Sequence, residues 1–195
     1  MRAFQRLSVA AGSATAVVIA LTILTAAQTT QRDKASNIQI KNFGCINEGL
    51  YRGAQPKERD YADLAAMGVK TIIDLQRDGK DTEQTLVEAQ GMKFYRIGMS
   101  DKSEPSTEQA ELFLKLVNDP ANQPVFVHCA GGRHRTGAMS AVYRITHDGW
   151  TADQAFLEMK HYDFEYGSGH GSLKRYVFAF YSQIEQKAVV AEGNK

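Results

Sequence analysis

The chain has 195 residues, of which 43% are hydrophobic and 23% are charged. These values are typical of one globular domain, and they exclude a wholly disordered, collagen-like or polytopic membrane protein. The 23 Lys and Arg residues balance the 22 Asp and Glu residues to a formal net charge of +1, so no global charge draws the chain to nucleic acid or to anionic lipid. The two cysteines, Cys45 and Cys129, are too few for a disulfide-built fold or a cysteine-rich zinc site. Any site for a polyanion must therefore be local.

The first stretch of the chain differs from the rest. Arg2 and Arg6 precede an uncharged run over residues 7–30, and residues 25–27 (Thr-Ala-Ala) offer the small side chains that a signal peptidase needs. This pattern predicts a signal peptide over residues 1–27; the alternative is an uncleaved amino-terminal anchor, because the run is long enough to span a bilayer. Both interpretations place the domain outside the cytoplasm, in the periplasm or on the outer face of the cytoplasmic membrane, and only the anchor gives it a membrane partner.

The rest of the chain divides into a polar tether over residues 28–41, a domain over residues 42–187 and a flexible tail over residues 188–195. Within the domain, short β-rich runs alternate with amphipathic helical runs, which predicts an α/β fold with a central, mostly parallel sheet flanked by helices. Strands are predicted at residues 49–52, 69–75, 92–97 and 125–127. Helices are predicted at residues 57–66, 81–90, 106–117, 136–147, from 151 or 153 to 162, and 172–186, with a Ser106/Gln109 capping box on the third.

Residues 128–137 (HCAGGRHRTG) join a predicted strand directly to a predicted helix. Their loop therefore lies at the carboxyl edge of a parallel sheet, where ligands usually bind. A glycine-rich loop can turn successive N–H groups inward, and the following helix adds the positive end of its dipole, which together favour phosphate. The predicted phosphate-binding residues are Ala130, Gly131, Gly132, Arg133, His134 and Arg135.

The same field stabilises a thiolate, so we expect Cys129 to have a lowered pKa and to act as a nucleophile. Arg135 follows across a five-residue loop, where its planar guanidinium can hold two phosphoryl oxygens at once. Lysine offers no such pair of donors.

The sequence of this loop resembles the motif of a known family. His128, Cys129, Gly132 and Arg135 match the H-C-x-x-G-x-x-R signature of cysteine-dependent protein tyrosine and dual-specificity phosphatases, and Thr136 with Gly137 extends the match. Residues 50–56 (LYRGAQP) and 68–75 (GVKTIIDL) look like the first strands of the small dual-specificity phosphatases of the bacterial periplasm and of the plant-and-fungal atypical group. The resemblance implies a phosphocysteine intermediate on Cys129, with no metal and no cofactor.

The resemblance also implies a general acid from the loop that precedes the phosphate-loop strand. Residues 98–105 contain Asp101 and Glu104, and we expect Asp101 to be the acid, because Glu104 beside Pro105 and Ser106 looks like a helix-entry residue. In the family, the residue that corresponds to Thr136 forms a hydrogen bond with the cysteine sulfur. His128 is expected to order the loop and to raise the acidity of Cys129.

The sequence therefore predicts a phosphate-monoester phosphatase, acting on phosphotyrosine or other phosphorylated side chains of proteins and not on nucleic acid. Inositol phosphates are the alternative substrates. A pseudophosphatase that binds phosphoproteins without turnover, and a rhodanese-like sulfurtransferase, are the alternatives of other classes; the second does not need Arg135 and Thr136. Arg133 and His134 are either solvated rim residues or a basic rim for multiply phosphorylated substrates, and His170 either lines the pocket or is structural. Cys45 is expected to be an inert thiol.

Overall fold

The structure is a computed structural model that describes residues 38–193. Its strands are β1 (Gly44–Asn47), β2 (Leu50–Ala54), β3 (Thr71–Gln76), β4 (Lys93–Met99) and β5 (Val125–Cys129). Its helices are α1 (Glu58–Ala66), α2 (Glu83–Glu88), α3 (Thr107–Asn118), α4 (His134–His147), α5 (Ala152–His161) and α6 (Gly171–Gly193). The predicted α/β class is confirmed.

The strands form one sheet in the order β1-β2-β5-β3-β4. The pairs β2–β5, β5–β3 and β3–β4 are parallel, and β1 pairs with β2 in the antiparallel direction. All residues of β3 and β5 are buried, as expected for strands in the middle of a sheet that is covered on both faces. The carboxyl ends of the four parallel strands therefore meet at one edge.

The two faces of the sheet have different neighbours because side chains alternate along each strand. Val125, Val127 and Cys129 of β5 face the main hydrophobic core, which they share with the buried sides of α3, α4, α5 and α6. Phe126 and His128 point the other way, where Phe126 stacks near Phe43 and His128 meets α2. Thus Cys129 and His128, which are adjacent in sequence, belong to opposite sides of the sheet.

The amino-terminal boundary of the domain differs from the prediction. Residues 38–41, assigned to the tether, lie on the domain: Ile40 is buried, and the backbone N–H of Ala54 donates to the Lys41 carbonyl at 2.8 Å. Strand β1 was not predicted, because it has only four residues, of which Ile46 alone is a strong strand former, and its register is irregular between Cys45 and Asn47.

Three helices begin or end at residues other than those predicted. Helix α2 is shorter, and α4 begins at His134 and not at Thr136, so His134 and Arg135 lie in its first turn. Helix α6 continues to Gly193, so residues 188–193 of the predicted flexible tail are helical, although all of them are exposed. The capping boxes Ser106/Gln109 of α3 and Thr151/Gln154 of α5 are both present, which confirms the predicted start of α3 and selects Thr151 for α5.

Among residues 38–193 no helix is long and apolar enough to cross a membrane. The predicted signal peptide or anchor, and most of the tether, lie outside the described residues.

Candidate active site

The phosphate loop, residues 129–135, follows β5 at the carboxyl edge of the sheet. It lies between the ends of β2 and β3, which are the strands on either side of β5. Ala54 at the end of β2 is in register with Cys129, and Asp74 of β3 is in register with His128. The segments that follow β2, β3 and β4 leave the sheet at this same edge. The strand order thus gathers residues from four separate stretches of the chain around one loop.

Gly132 gives the loop its shape. Its φ is +65°, and a Cβ there would lie 2.4 Å from the backbone carbon of Gly53, so both the conformation and the space require glycine. Its carbonyl accepts a 2.5 Å hydrogen bond from Arg52 Nη2, and the Gly131 carbonyl accepts one of 2.8 Å from Asn42 Nδ2. Because these carbonyls bond to β2 and to the segment before β1, the loop presents its N–H groups to its interior.

Cys129 lies at the bottom of this loop and is buried. Burial alone would raise the pKa of its thiol, but the Thr136 hydroxyl, the backbone N–H groups of Thr136 and Arg133, and the charge of Arg135 outweigh burial, so the pKa is lowered. The Thr136 hydroxyl is itself buried and makes no well-formed hydrogen bond elsewhere among the described residues. The site therefore favours a thiolate nucleophile.

Arg135 is buried beside the thiol with only 8% of its surface exposed. Its Nη1 donates to the Met99 carbonyl at 3.3 Å and lies 3.6 Å from Oδ1 of the exposed Asp78. Its Nε has no hydrogen-bond partner within residues 38–193, so this donor is available to an oxyanion.

A second arginine lies beneath the loop. Arg52 is fully buried, stacks 3.8 Å from the centre of the Tyr162 ring, and bonds the Gly132 carbonyl. Burial lowers the pKa of Arg52 to about 10, which leaves it charged at neutral pH. Its positive charge therefore adds to the field of the loop.

His128 faces a buried polar network on the other side of the sheet. Its Nε2 lies 2.9 Å from Glu83 Oε1, and its Nδ1 lies 3.9 Å from Asp74 Oδ1. Burial alone would raise the pKa of Glu83, but the contact with His128 and hydrogen bonds from Tyr61 and Gln55 lower it. His128 thus supports the end of β5 from the side of the sheet opposite to Cys129. Among the described residues, it makes no hydrogen bond to the phosphate-loop backbone.

Asp74, Glu83 and His128 bring ligand-type atoms within 4.8 Å of one another. Arg96 Nε and the Gln76 N–H groups bond Asp74, and the Tyr61 hydroxyl bonds Glu83 Oε1 at 2.7 Å, whereas Glu83 Oε2 has no hydrogen-bond partner among the described residues. These bonds suit a buried polar support for the end of β5.

The Asp101 loop, residues 100–106, connects β4 to α3. The His170 Nδ1 donates to the Asp101 carbonyl at 2.9 Å, and the Ser172 hydroxyl donates to the Lys102 carbonyl at 2.8 Å. The carboxylate of Glu104 lies 3.9 Å from Arg175 Nε, on the α6 side of the loop. The backbone of Asp101 is therefore bonded to His170 at the edge of the site, whereas the carboxylate of Glu104 lies beside α6.

Arg133 and His134 form the rim of the loop. The Arg133 guanidinium lies 4.1 Å from the centre of the Tyr166 ring, and its Nε lies 3.8 Å from Asp163 Oδ2. His134 stacks on His170 with ring centroids 3.4 Å apart. A cavity of about 520 Å³ opens beside the loop, with Lys41, Lys57 and Arg133 in its wall.

Arg52, Asn42 and Asp78 were not predicted as residues of the site. Arg52 had a local signal, since it is a charge inside a strand pattern of residues 50–54. Asn42 and Asp78 had none, because each reaches the site only through contacts between residues far apart in the chain: the Asn42–Gly131 bond joins residues 89 positions apart.

Comparisons with known proteins agree with this geometry. The family model described as "PTP-NADK: DSP-PTPase phosphatase fused to NAD+ Kinase" matches residues 27–173. "Inositol diphosphatase DSP3" of Arabidopsis thaliana is 30% identical over 108 residues, which are 53% of this chain and 53% of the relative. "Probable tyrosine-protein phosphatase DG1060" of Dictyostelium discoideum is 32% identical over 133 residues, which are 66% of this chain and 80% of the relative.

Solved structures share the fold of this chain. The core catalytic domain of the PP-IP phosphatase SIW14 from S. cerevisiae, in complex with citrate, superposes with a TM-score of 0.66 at 24% identity, over 80% of this chain and 94% of that chain. The chain spans about half the length of DSP3.

Proposed function

Because the chain belongs to the DSP-PTPase phosphatase family, we propose that it hydrolyses phosphate monoesters through a phosphocysteine intermediate, with phosphotyrosine or other phosphorylated side chains of proteins as substrates. The observation that carries the proposal is the position of Cys129. Its thiol has a lowered pKa inside a loop that ends in the buried Arg135. The relative named as a probable tyrosine-protein phosphatase supports the protein substrate.

The reaction follows from these positions in two steps. The Cys129 thiolate attacks phosphorus, the bond from phosphorus to the leaving oxygen breaks, and Asp101 gives that oxygen a proton. Arg135 and the loop N–H groups hold the remaining phosphoryl oxygens as their charge increases. Asp101, now a carboxylate, takes a proton from water, the water oxygen attacks phosphorus, and the bond to sulfur breaks to release inorganic phosphate and the thiolate.

The test is turnover of an aryl phosphate and of a phosphotyrosine peptide, with and without vanadate, followed by acid quench and mass spectrometry. We expect vanadate-sensitive turnover and a phosphate adduct on Cys129. Binding of the peptide without turnover would make the protein a pseudophosphatase. Cyanide-dependent sulfur transfer from thiosulfate, without phosphatase activity, would make it a sulfurtransferase.

A second candidate substrate is an inositol phosphate, and the cavity beside the loop favours it. Lys41, Lys57 and Arg133 surround this space, and no carboxylate within residues 38–193 lies within ion-pair distance of either lysine. Asp60 also lines the cavity, but its Oδ2 accepts the backbone N–H of Lys57 and its Oδ1 lies 3.5 Å from Arg59 Nε. The wall thus carries a positive charge that suits several phosphates on one ring.

One double variant separates the two candidate substrates. Replacing Lys41 and Lys57 together by Ala should raise KM for inositol hexakisphosphate and leave KM for a phosphotyrosine peptide unchanged if the cavity binds further phosphates. If wild-type protein turns over the peptide and not the inositol phosphate, the first candidate stands and the second is rejected.

A further inference from the structure

Two imidazole rings connect the phosphate loop to the Asp101 loop. His134 is the first residue of α4, and His170 directly precedes α6. Their rings stack with centroids 3.4 Å apart and planes 14° apart. His134 also packs edge-on against Phe164 at 5.4 Å between centroids, so the pair is held in place from one side.

The hydrogen bonds of the two rings determine which nitrogen carries the proton. A carbonyl oxygen can only accept, so the 2.9 Å contact of His170 Nδ1 with the Asp101 carbonyl requires a proton on Nδ1. By the same reasoning, the 3.1 Å contact of His134 Nε2 with the Tyr166 carbonyl requires a proton on Nε2. Each ring thus donates one hydrogen bond to a backbone carbonyl.

Bonds from His170 and Ser172 hold the Asp101 loop, and a bond from Gln109 holds β4 directly before it. Ser172 bonds the Lys102 carbonyl, and Gln109 Nε2 bonds the Gly98 carbonyl at 2.8 Å on the other side of the loop. Only the bond from His170 acts on Asp101 itself among the described residues. The stack on His134 then connects the backbone of Asp101 to the first turn of α4, which also contains Arg135.

We propose that His170 is a positioning residue, which holds the backbone of Asp101 in place relative to the phosphate loop through its stack on His134. The proposal rests on the proposed function, in which Asp101 protonates the leaving oxygen. Proton transfer requires the donor within hydrogen-bond reach of that oxygen, and a loop carboxylate that lacks a fixed backbone reaches it in fewer of its conformations. Loss of His170 should therefore weaken acid catalysis and leave attack by Cys129 intact.

The experiment compares His170→Ala, His170→Phe and His170→Asn with wild type on two substrates. One is a phosphotyrosine peptide, whose leaving oxygen needs a proton, and the other is an aryl phosphate with an acidic phenol, which needs little help. His170→Ala should lower kcat/KM for the peptide by about tenfold and for the aryl phosphate by less than about twofold. His170→Phe keeps a stacking ring without the donor and should behave like His170→Ala. His170→Asn places an amide donor near the position of Nδ1 and should recover most of the activity on the peptide.

The matched control is His147→Ala, which also removes an imidazole stacked on an aromatic ring, that of Tyr143, but at the far end of α4. It should match wild type on both substrates. An equal loss on both substrates in His170→Ala, without recovery in His170→Asn, would mean a merely structural role and overturn the proposal. So would a His170→Ala protein that retains full activity on the peptide while Asp101→Asn does not. Turnover by wild type tests the proposed function separately from every variant.

Discussion

At the scale of single residues, the proposed mechanism gives Cys129 and Arg135 two different parts in phosphoryl transfer. The thiol supplies the electron pair, and its lowered pKa increases the fraction of thiolate at a given pH. The guanidinium, buried and with a free Nε donor among the described residues, supplies charge where the transition state accumulates it. Neither residue can replace the other, because nucleophilic attack and charge stabilisation are separate contributions to the barrier.

Replacing Cys129 by Ser should abolish turnover and preserve binding. The serine hydroxyl is not ionised at neutral pH, whereas Arg135 and the loop N–H groups remain to bind the phosphoryl group. We expect kcat to fall by at least about 10³-fold, with the Kd for a phosphotyrosine peptide within a few-fold of the wild-type KM. Steady-state kinetics and calorimetry check this. A serine variant within about tenfold of wild-type activity would rule out the phosphocysteine mechanism.

The two glycines of the loop should differ in what they tolerate. Alanine at Gly132 meets the backbone of Gly53 and a φ of +65°, which together should cost about 2–4 kcal/mol of unfolding free energy. Alanine at Gly131 meets only its neighbour Arg133 at 3.6 Å, outside the left-handed region. Thermal denaturation should therefore show a lower Tm for Gly132→Ala and a nearly unchanged Tm for Gly131→Ala. Equal Tm values for the two variants would contradict this account of the loop.

At the scale of elements, the Asp101 loop determines which carboxylate can act as the acid. The segments that follow β3 and β4 at this edge of the sheet carry the carboxylates of Asp78, Asp101 and Glu104, among others. Asp78 lies beside the Arg135 guanidinium at 3.6 Å, Glu104 lies near Arg175, and Asp101 has its backbone held by His170. Asp78 and Glu104 each lie beside a guanidinium, whereas no ion pair engages the Asp101 carboxylate among the described residues, so Asp101 remains the proposed acid.

Asp101→Asn should slow substrates according to their leaving group. A tyrosyl oxygen leaves poorly without a proton, so kcat/KM for a phosphopeptide should fall by ~10²–10⁴-fold, while an activated aryl ester slows mildly. The dependence of kcat/KM on leaving-group pKa should steepen, and the basic limb of the pH profile should flatten.

Glu104→Gln and Asp78→Asn are the controls for this prediction. Both should keep the wild-type dependence on leaving-group pKa. If Glu104→Gln or Asp78→Asn steepens that dependence and Asp101→Asn does not, the acid is the residue whose replacement does so.

The start of α4 should make stability depend on pH. Burial and the adjacent His170 lower the pKa of His134 below its ordinary value. An unfolded histidine takes up its proton near pH ~6.5, so below this pH the unfolded chain binds more protons than the folded one. The free energy of unfolding should therefore fall as the pH decreases from about 6.5 toward the lowered pKa, and this contribution should be constant above pH 6.5.

Urea denaturation between pH 8 and pH 5.5 checks this dependence. The matched variant is His134→Gln, whose amide can still donate to the Tyr166 carbonyl but does not titrate. Its unfolding free energy should decrease less than that of wild type across this window. Parallel curves for the two proteins would show that His134 does not cause the pH dependence.

At the scale of the whole molecule, we propose that the domain acts outside the cytoplasm. The support is the sequence of residues 1–30, with Arg2 and Arg6 before a long uncharged run. Expression of the full chain followed by fractionation and amino-terminal sequencing should find the protein in the periplasm with a terminus near Gln28, or on the membrane with its terminus intact. Recovery of soluble cytoplasmic protein that retains Met1 would reject export.

The chain order of strands and helices was predictable, and the spatial order was not. Alternating β-rich and amphipathic runs are local patterns, so the four parallel strands and the helices between them followed from the sequence. Strand β1 had no such pattern, and its pairing with β2 depends on contacts across the sheet edge. Helix α4 begins at His134 after Arg133, which makes no side-chain capping bond, so no capping signal in the sequence marks this start.

The sequence by itself identified the family and predicted Cys129 as the nucleophile with Arg135 as its arginine, because the motif is ten contiguous residues, 128–137, whose chemistry depends on spacing along the chain. Only the tertiary structure decided what supports that loop. Arg52 meets Gly132 across 80 positions, and His170 meets Asp101 across 69. Such contacts form when packing of the sheet and helices brings distant segments together, and the free energy that selects them belongs to the whole core. No local pattern of residues encodes them.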